Sequence, residues 1–176
     1  MHETIQEKAL ELEVRKNLYS LIVKSPGLHF REIQRRIKMA TGHLTHHLNY
    51  LQKVNLITTR SNGEYLRYYA ITSISNKERK ILELIRQKSI RHIILYLLEH
   101  KKCNHQELTK SLDLSPATIS WHIKKLVDRK IVEKEVLGRN SVYSINDYDL
   151  VKKTLVKYKD SFLDKIVDRF IDGWET

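Results

Sequence analysis

The stretches TGHLTHHLNYL (Thr41 to Leu51) and ATISWHIKKL (Ala117 to Leu126) hold the side chains best suited to chemistry in this sequence. Each reads as an amphipathic helix. With Leu44, Leu48 and Leu51 turned inward at about 100° per residue, Gly42, Thr45, His46, Asn49 and Lys53 turn outward. Over Ile119, Ile123 and Leu126 the outward set is Ala117, Ser120, Trp121, Lys124 and Lys125. An amide such as Asn49 can pair with the edge of adenine, and the hydroxyl of Thr45 or Ser120 can reach a base or a phosphate. Gly42 and Ala117 are small where each helix begins, which permits close approach. Arg31, Arg35, Lys53, Lys124 and Arg129 suit phosphate oxygens. A solvated helix face explains Lys124 and Lys125 equally well. It explains an outward Trp121 poorly, because exposed tryptophan marks contacts.

Other chemistries find less support. His43 and His47 lie four apart on one helix face and could pair on zinc, but no acid or cysteine ligand lies nearby. Neither metal nor cofactor is expected. His47 and His122 sit at the edge of the buried face, where a packed, hydrogen-bonded histidine is the plain reading. Cys103 has no partner cysteine and reads as a connector residue. There is no glycine-rich phosphate loop, nucleophile motif or HExxH, so no enzyme is expected.

The elements that carry these faces recur. An offset of 75 pairs residues without a gap from about Leu18 to Gly63. It sets Leu18 against Ile93, Ile33 against Leu108, Leu44 against Ile119, Leu56 against Ile131 and Gly63 against Gly138. Each copy reads as a first helix ending near Lys24 or His100, a connector (SPGLHF or KKCNH), a short second helix, a turn and a third helix. Asn104 with Glu107 has the capping-box spacing, and His29 with Glu32 occupies the same places. Ser115 before Pro116 is a strong helix start. The third helices span about 41–54 and 116–129, and strand–turn–strand patterns follow with turns at Asn62-Gly63 and Gly138. Residues 3–24 read as one long leading helix, with Lys77–Gln87 as its counterpart.

Helix, helix, turn, helix and a two-stranded hairpin make a winged helix-turn-helix. PGLHFREIQRRIKMATGHLTHHLNYLQKVNLI and LSPATISWHIKKLVDRKIVEK resemble winged-helix transcription regulators of the ArsR/MarR type. The tandem arrangement is similar to small archaeal two-winged-helix regulators. The resemblance covers about Val14 to Ile145, and the pattern Ser115-x-x-Thr118-Ile-Ser120-x-His122-Ile123 is its most specific part. The first copy departs from it, with Ala40 for the capping serine and Thr45 for Ser120. The resemblance implies DNA contact along each third helix, with Thr41, Ser115 and Thr118 at the helix starts and a phosphate contact for His47 and His122. The basic residues of the wings offer a second contact. Arg60 and Arg67 flank one hairpin, Lys134 and Arg139 the other, and Glu64, Glu133 and Glu135 weaken that expectation.

Composition agrees with a polyanion partner. The formal net charge is +11, with 32 basic against 21 acidic residues. Residues 29–60 carry a net of +5, residues 104–145 a net of +2 and residues 147–176 a net of −1. A lone cysteine, the absence of a signal-peptide pattern and only short apolar runs suggest a cytoplasmic protein without membrane contact.

The tail looks different. Tyr148, Val151, Leu155, Tyr158, Phe162 and Ile166 recur at spacings of three and four, as in a coiled-coil seam, and Phe170 extends the face. Packing on the chain's own domains and pairing with a partner helix are both open. The expected fold is mainly α with small β-hairpins (α+β). Its domains are a winged helix-turn-helix at 1–74, a second at 75–147 and a C-terminal amphipathic, dimerising helix at 148–176. The expected function is sequence-specific binding of double-stranded DNA by a homodimeric transcription regulator. The rival is a tandem winged-helix scaffold for proteins, or a hybrid in which the first unit reads DNA and the second holds a transcription-machinery protein.

Overall fold

The computed structural model describes residues 4–61, 63, 65–71, 74–138 and 140–174. The chain forms two compact units, Met1–Ile74 and Ser75–Thr176.

Unit one begins with α1 (Ile5–Glu11), opened by a capping box in which Thr4 and Glu7 satisfy each other's backbone amides. α2 (Glu13–Lys24), β1 (Leu28–His29), α3 (Phe30–Ile37) and α4 (Thr41–Lys53) follow, then β2 (Ile57–Ser61) and β3 (Leu66–Ala70). Unit two runs α5 (Asn76–Ile85), α6 (Lys88–His100), β4 (Lys102–Asn104), α7 (His105–Ser111) and α8 (Pro116–Asp128). β5 (Val132–Leu137), β6 (Asn140–Ile145), α9 (Tyr148–Lys157), a 3-10 turn (Lys159–Ser161) and α10 (Lys165–Trp174) complete it. The fold is α+β and mainly helical, as the apolar periodicity indicated.

The repeat reaches into the backbone. Asn55 and Lys130, 75 apart, both take left-handed φ (57° and 58°) just after the third helix. In unit one Leu56 N donates to Leu51 O and Ile71 N to Leu56 O; in unit two Ile131 N donates to Leu126 O and Asn146 N to Ile131 O. These bonds fasten the foot of each wing to its third helix. The cores repeat too: Leu18, Ile33, Leu44, Leu48 and Leu51 are buried in one unit, and Ile93, Leu108, Ile119, Ile123 and Leu126 in the other.

Three expectations are corrected. The wings are three-stranded antiparallel sheets, ordered β1-β3-β2 and β4-β6-β5. Each connector supplies the extra strand: Leu28 pairs with Tyr68, and Cys103 with Tyr143. Gly27 opens that strand at φ 82°, its N–H donating to Tyr68 O at 2.8 Å; a Cβ there would lie 3.1 Å from the Tyr69 hydroxyl. The long leading helix is broken at Leu12, whose extended backbone (ψ 117°) ends α1 and starts α2. The break lets Ala9 enter the core that Leu18 and Ile22 of α2 also fill.

The tail is two helices, not one. Leu163 takes φ 53° between the 3-10 turn and α10. α9 packs on α5 and α10 on α6. Val151, Leu155, Tyr158 and Phe162, expected to face a dimer partner, are buried in the unit's own core, with Ile166 and Phe170 left half-buried. The physical reason is Asp164. Its carboxylate accepts from Arg91 Nε at 2.9 Å and Nη2, and from His92 Nε2 at 3.0 Å, which draws the chain down onto α6 and breaks the heptad line. Burial pushes this carboxyl up, but the Arg91 hydrogen bonds and charge, aided by His92 and the Ile166 amide, outweigh that and hold it below its ordinary value.

Candidate nucleic-acid interface

In unit one, α3 and α4 form the helix-turn-helix. His29 caps α3 by accepting from Glu32 N at 3.4 Å and stacks on Tyr65 with ring centroids 4.8 Å apart. Burial, with help from Arg67, Arg35 and Arg31, lowers its pKa against the pull of Glu32. Lys38 closes α3 in the left-handed conformation. Gln34 ties the two helices: its Nε2 donates to Met39 O at 3.2 Å and to Thr41 Oγ1 at 2.9 Å. Neither the His29–Tyr65 stack nor the Gln34 tie was visible in the sequence pattern, because both join residues brought together only by the fold.

The outward face of α4 is as the periodicity indicated: Thr41, Gly42, Thr45, His46, Asn49 and Lys53 are all exposed. Thr45 Oγ1 donates back to Thr41 O at 2.9 Å, so its hydroxyl keeps acceptor capacity. Ala40 offers no side-chain cap, which leaves the first amides of α4 without a side-chain acceptor, and a Cβ on Gly42 would meet nothing within 4 Å. Arg31, Arg35, Lys53 and Arg60 are exposed and face no carboxylate among the described residues. This surface can donate to an anion from backbone and side chains together.

Arg67 is not part of it. The residue is buried to 6% exposure, and its Nη1 donates to Gly27 O at 2.8 Å. β3 is the central strand of its sheet, with His29 of β1 beside Arg67 on one side and Arg60 of β2 on the other, so the connector covers Arg67, which braces it, against the expected DNA contact.

Unit two presents a mixed face. Ser115 caps α8, accepting from Thr118 N at 3.1 Å and sharing a hydrogen bond with Thr118 Oγ1 at 2.8 Å. Ser120 is exposed and hydrogen-bonded to His105 Nε2 at 2.9 Å. Trp121 is 56% exposed, with Lys125 Nζ 5.2 Å from its ring centroid. Lys124 pairs with Asp128 at 3.1 Å and Arg129 stands 3.9 Å from Glu83, so two expected phosphate partners already face carboxylates. Lys134 lines a groove with Ser120, Lys124 and Tyr143. The wing is apolar toward its tip, with Val136 67% and Leu137 53% exposed. Arg139, Asn62 and Glu64 lie outside the described residues.

The two paired histidines face inward. His122 is buried, and Nδ1 of both His47 and His122 lacks a hydrogen-bond partner. Desolvation lowers both pKa values, aided by Arg15, His46 and His43 around His47 and by Lys125 beside His122. Both rings are packed, as expected, but neither Nδ1 makes a hydrogen bond, and His122 is too enclosed to reach a phosphate. Cys103 sits buried on β4, its thiol pushed up to about 12 by burial and Glu107.

Two units, each a helix-turn-helix closed by a short three-stranded wing, define a tandem winged helix-turn-helix protein. Two families match successive parts of the chain. Residues 12–82 match a family described as an N-terminal HTH domain, and residues 86–133 match the winged helix-turn-helix DNA-binding family. The chain is 31% identical over 142 residues to an uncharacterised HTH-type transcriptional regulator of Methanocaldococcus jannaschii. That match covers 81% of this chain and 36% of the relative, so the chain spans about a third of the length of the curated relative it matches. Among solved structures, a transcriptional regulator homologue from Pyrococcus horikoshii OT3 aligns at 23% identity and TM-score 0.39, covering 58% of this chain and 100% of that one. An ArsR family transcriptional regulator aligns at 18% identity and TM-score 0.38, covering 51% and 94%. No helix among the described residues is long and apolar enough to cross a membrane.

Proposed function

We propose that the chain is a sequence-specific regulator of transcription that binds double-stranded DNA, with α4 of unit one as its principal reading element. The observation that carries this is the exposed face of α3 and α4. Asn49, Thr45 and His46 offer hydrogen bonds to base edges, and Arg31, Arg35, Lys53 and Arg60 are exposed cations that face no carboxylate among the described residues. α4 lies in the major groove, its uncapped start and Gly42 close against the backbone, and the wing rests on flanking phosphates through Arg60. α8 reads a second groove segment with Ser120, Trp121 and Lys125, assisted by Lys134.

A homodimer would present equivalent helices on one face of DNA and favour an inverted-repeat site. Of the tail residues expected at a dimer seam, the half-buried Ile166 and Phe170, which line a groove of about 690 Å³ with Leu98 and Trp174, are left to offer that contact.

Selection of random duplexes by the intact protein, followed by footprinting, tests the reading. A recovered motif protected by wild type and lost with Asn49→Ala supports it. Recovery of no motif at low salt removes it. A second reading draws on the asymmetry between the units. With Trp121, Val136 and Leu137 exposed and Lys124 already paired, unit two suits a protein of the transcription machinery while unit one holds DNA. Footprints that Trp121→Ala leaves unchanged would favour that hybrid.

A further inference from the structure

Unit two contains a cavity of about 290 Å³ that the DNA-reading face does not use. It lies where the first turns of α5, the end of α8, the foot of the wing and the start of α9 converge. Its floor is apolar, formed by the buried side chains of Ile81, Ile131 and Val151. Its rim is cationic, with Lys77, Lys80, Arg129 and Lys130. Arg129 looks toward Glu83 at 3.9 Å, whereas the three lysines meet no carboxylate among the described residues. The one carboxylate lining the cavity, Asp147, caps α9 through one oxygen, accepting from Leu150 N at 3.2 Å, and leaves the four cations in excess. Asn146 Nδ2 donates to Lys130 O at 3.2 Å and pins the left-handed turn that carries that lysine.

The repeat supplies a control. Unit one has the same turn, but Val54 and Asn55 stand where Arg129 and Lys130 do. The turn itself does not require cations, since the same left-handed backbone forms without them in unit one. Like charges gathered over an apolar floor repel one another, and a ligand with one anionic end and one apolar end relieves both conditions.

We propose that this cavity binds a small organic anion, its carboxylate or phosphoryl head among Lys77, Lys80 and Lys130 and its apolar body on Ile81, Ile131 and Val151. Arg129 and Lys130 end the α8 segment and Ile131 leads into the wing, so an occupant touches the hinge between the two parts that face DNA. Occupancy therefore changes the affinity of unit two for its partner surface. That regulatory consequence rests on the DNA reading; the binding itself does not.

The test uses the intact, 15N-labelled chain titrated with benzoate, phenyl phosphate, inorganic phosphate and benzyl alcohol at constant ionic strength. Benzoate or phenyl phosphate should shift the amide signals of Ile131, Asn146, Leu150 and Val151 saturably, and the preference between them identifies the head group. Benzyl alcohol lacks the charge and inorganic phosphate lacks the apolar body, so each should bind about ten-fold more weakly or worse. Lys77→Gln combined with Lys80→Gln, both at exposed helical positions, should weaken binding by about ten-fold, whereas Lys124→Gln should leave it unchanged. Shifts scattered over all lysine-rich surfaces, equal responses to inorganic phosphate, or binding that survives the double variant would mean ordinary ion pairing and overturn the site. Absence of any saturable shift at millimolar concentrations overturns it as well. Affinity for a selected duplex should then change about five-fold when the cavity is filled. An unchanged affinity with confirmed cavity binding overturns the coupling alone.

Discussion

The buried histidines make the protein's stability depend on pH in a definite direction. His47 and His122 have folded pKa values below the ordinary 6.5, chiefly because burial disfavours the charged ring. Protonation would also place an N–H at an Nδ1 that has no acceptor. The unfolded chain therefore binds these protons more readily. Their contribution is present above about pH 6.5 and is lost as pH falls through the folded values. Urea denaturation should show lower stability at pH 5 than at pH 7, and His122→Leu should reduce that difference; an unchanged difference counts against His122. Asp164 acts in a lower window, since its carboxyl is held below 3.8 and its contribution disappears only as pH drops further. Arg67 belongs to the same scale. Arg67→Met should cost about 1–3 kcal/mol by leaving the Gly27 carbonyl without its donor, while the folded variant keeps full affinity for DNA. The sequence marked Arg67 as a wing cation because residue type is readable and strand order is not. Only the extra strand β1, which the connector lays beside β3, covers that side chain.

At the scale of elements, the two third helices, α4 and α8, start differently, and the difference is testable. Ser115 caps α8, so Ser115→Ala should cost about 1 kcal/mol in thermal or urea unfolding. Ala40 leaves α4 without that bond. Ala40→Asp should stabilise unit one by a similar amount, about 1 kcal/mol, yet weaken DNA binding, because the carboxylate would occupy the place of a phosphate. If Ala40→Asp raises both stability and affinity, the start of α4 does not approach DNA. The helices, caps and turns were legible in the sequence because their signals are local: the Leu44/Leu48/Leu51 spacing, Asn104 with Glu107, Ser115 before Pro116. β1 and β4 were not. Strands of two and three residues show no alternation, and their pairing depends on a partner about 40 residues away. The tail shows the opposite failure. Its apolar residues at spacings of three and four are real, but the same spacing serves a dimer seam or an intramolecular core, and Asp164 decides the matter through Arg91 and His92.

For the whole molecule, removal of residues 148–176 should unfold unit two rather than release a folded monomer. The deletion strips Val151, Leu155, Val167 and Ile171 from a core in which each is buried, and each such side chain is worth about 1.5–3 kcal/mol. Loss of far-UV ellipticity beyond that of the deleted helices would show this. A truncated chain that keeps a cooperative melt for both units would mean the tail only covers its surface. Electrostatics offers a second measurement at this scale. Arg31, Arg35, Lys38, Lys53 and Arg60 are exposed cations on unit one. If each neutralises one phosphate, the log–log salt dependence of duplex affinity should have a slope of roughly −4 to −5. A slope near zero rules out the phosphate ring.

The left-handed turns at Asn55 and Lys130 carry a historical consequence. Two segments of one chain that share backbone bonds at a constant spacing have the form of a duplicated ancestral module. Once a module is doubled, one copy can keep the inherited task while the other accumulates substitutions. Asn55 beside Val54, and Lys130 beside Arg129, are such a divergence on an unchanged skeleton. The skeleton also makes the copies exchangeable. Transplanting residues 116–128 into the place of 41–53 would join the same pair of hinges, and the chimera would inherit the donor's preferences without a new architecture.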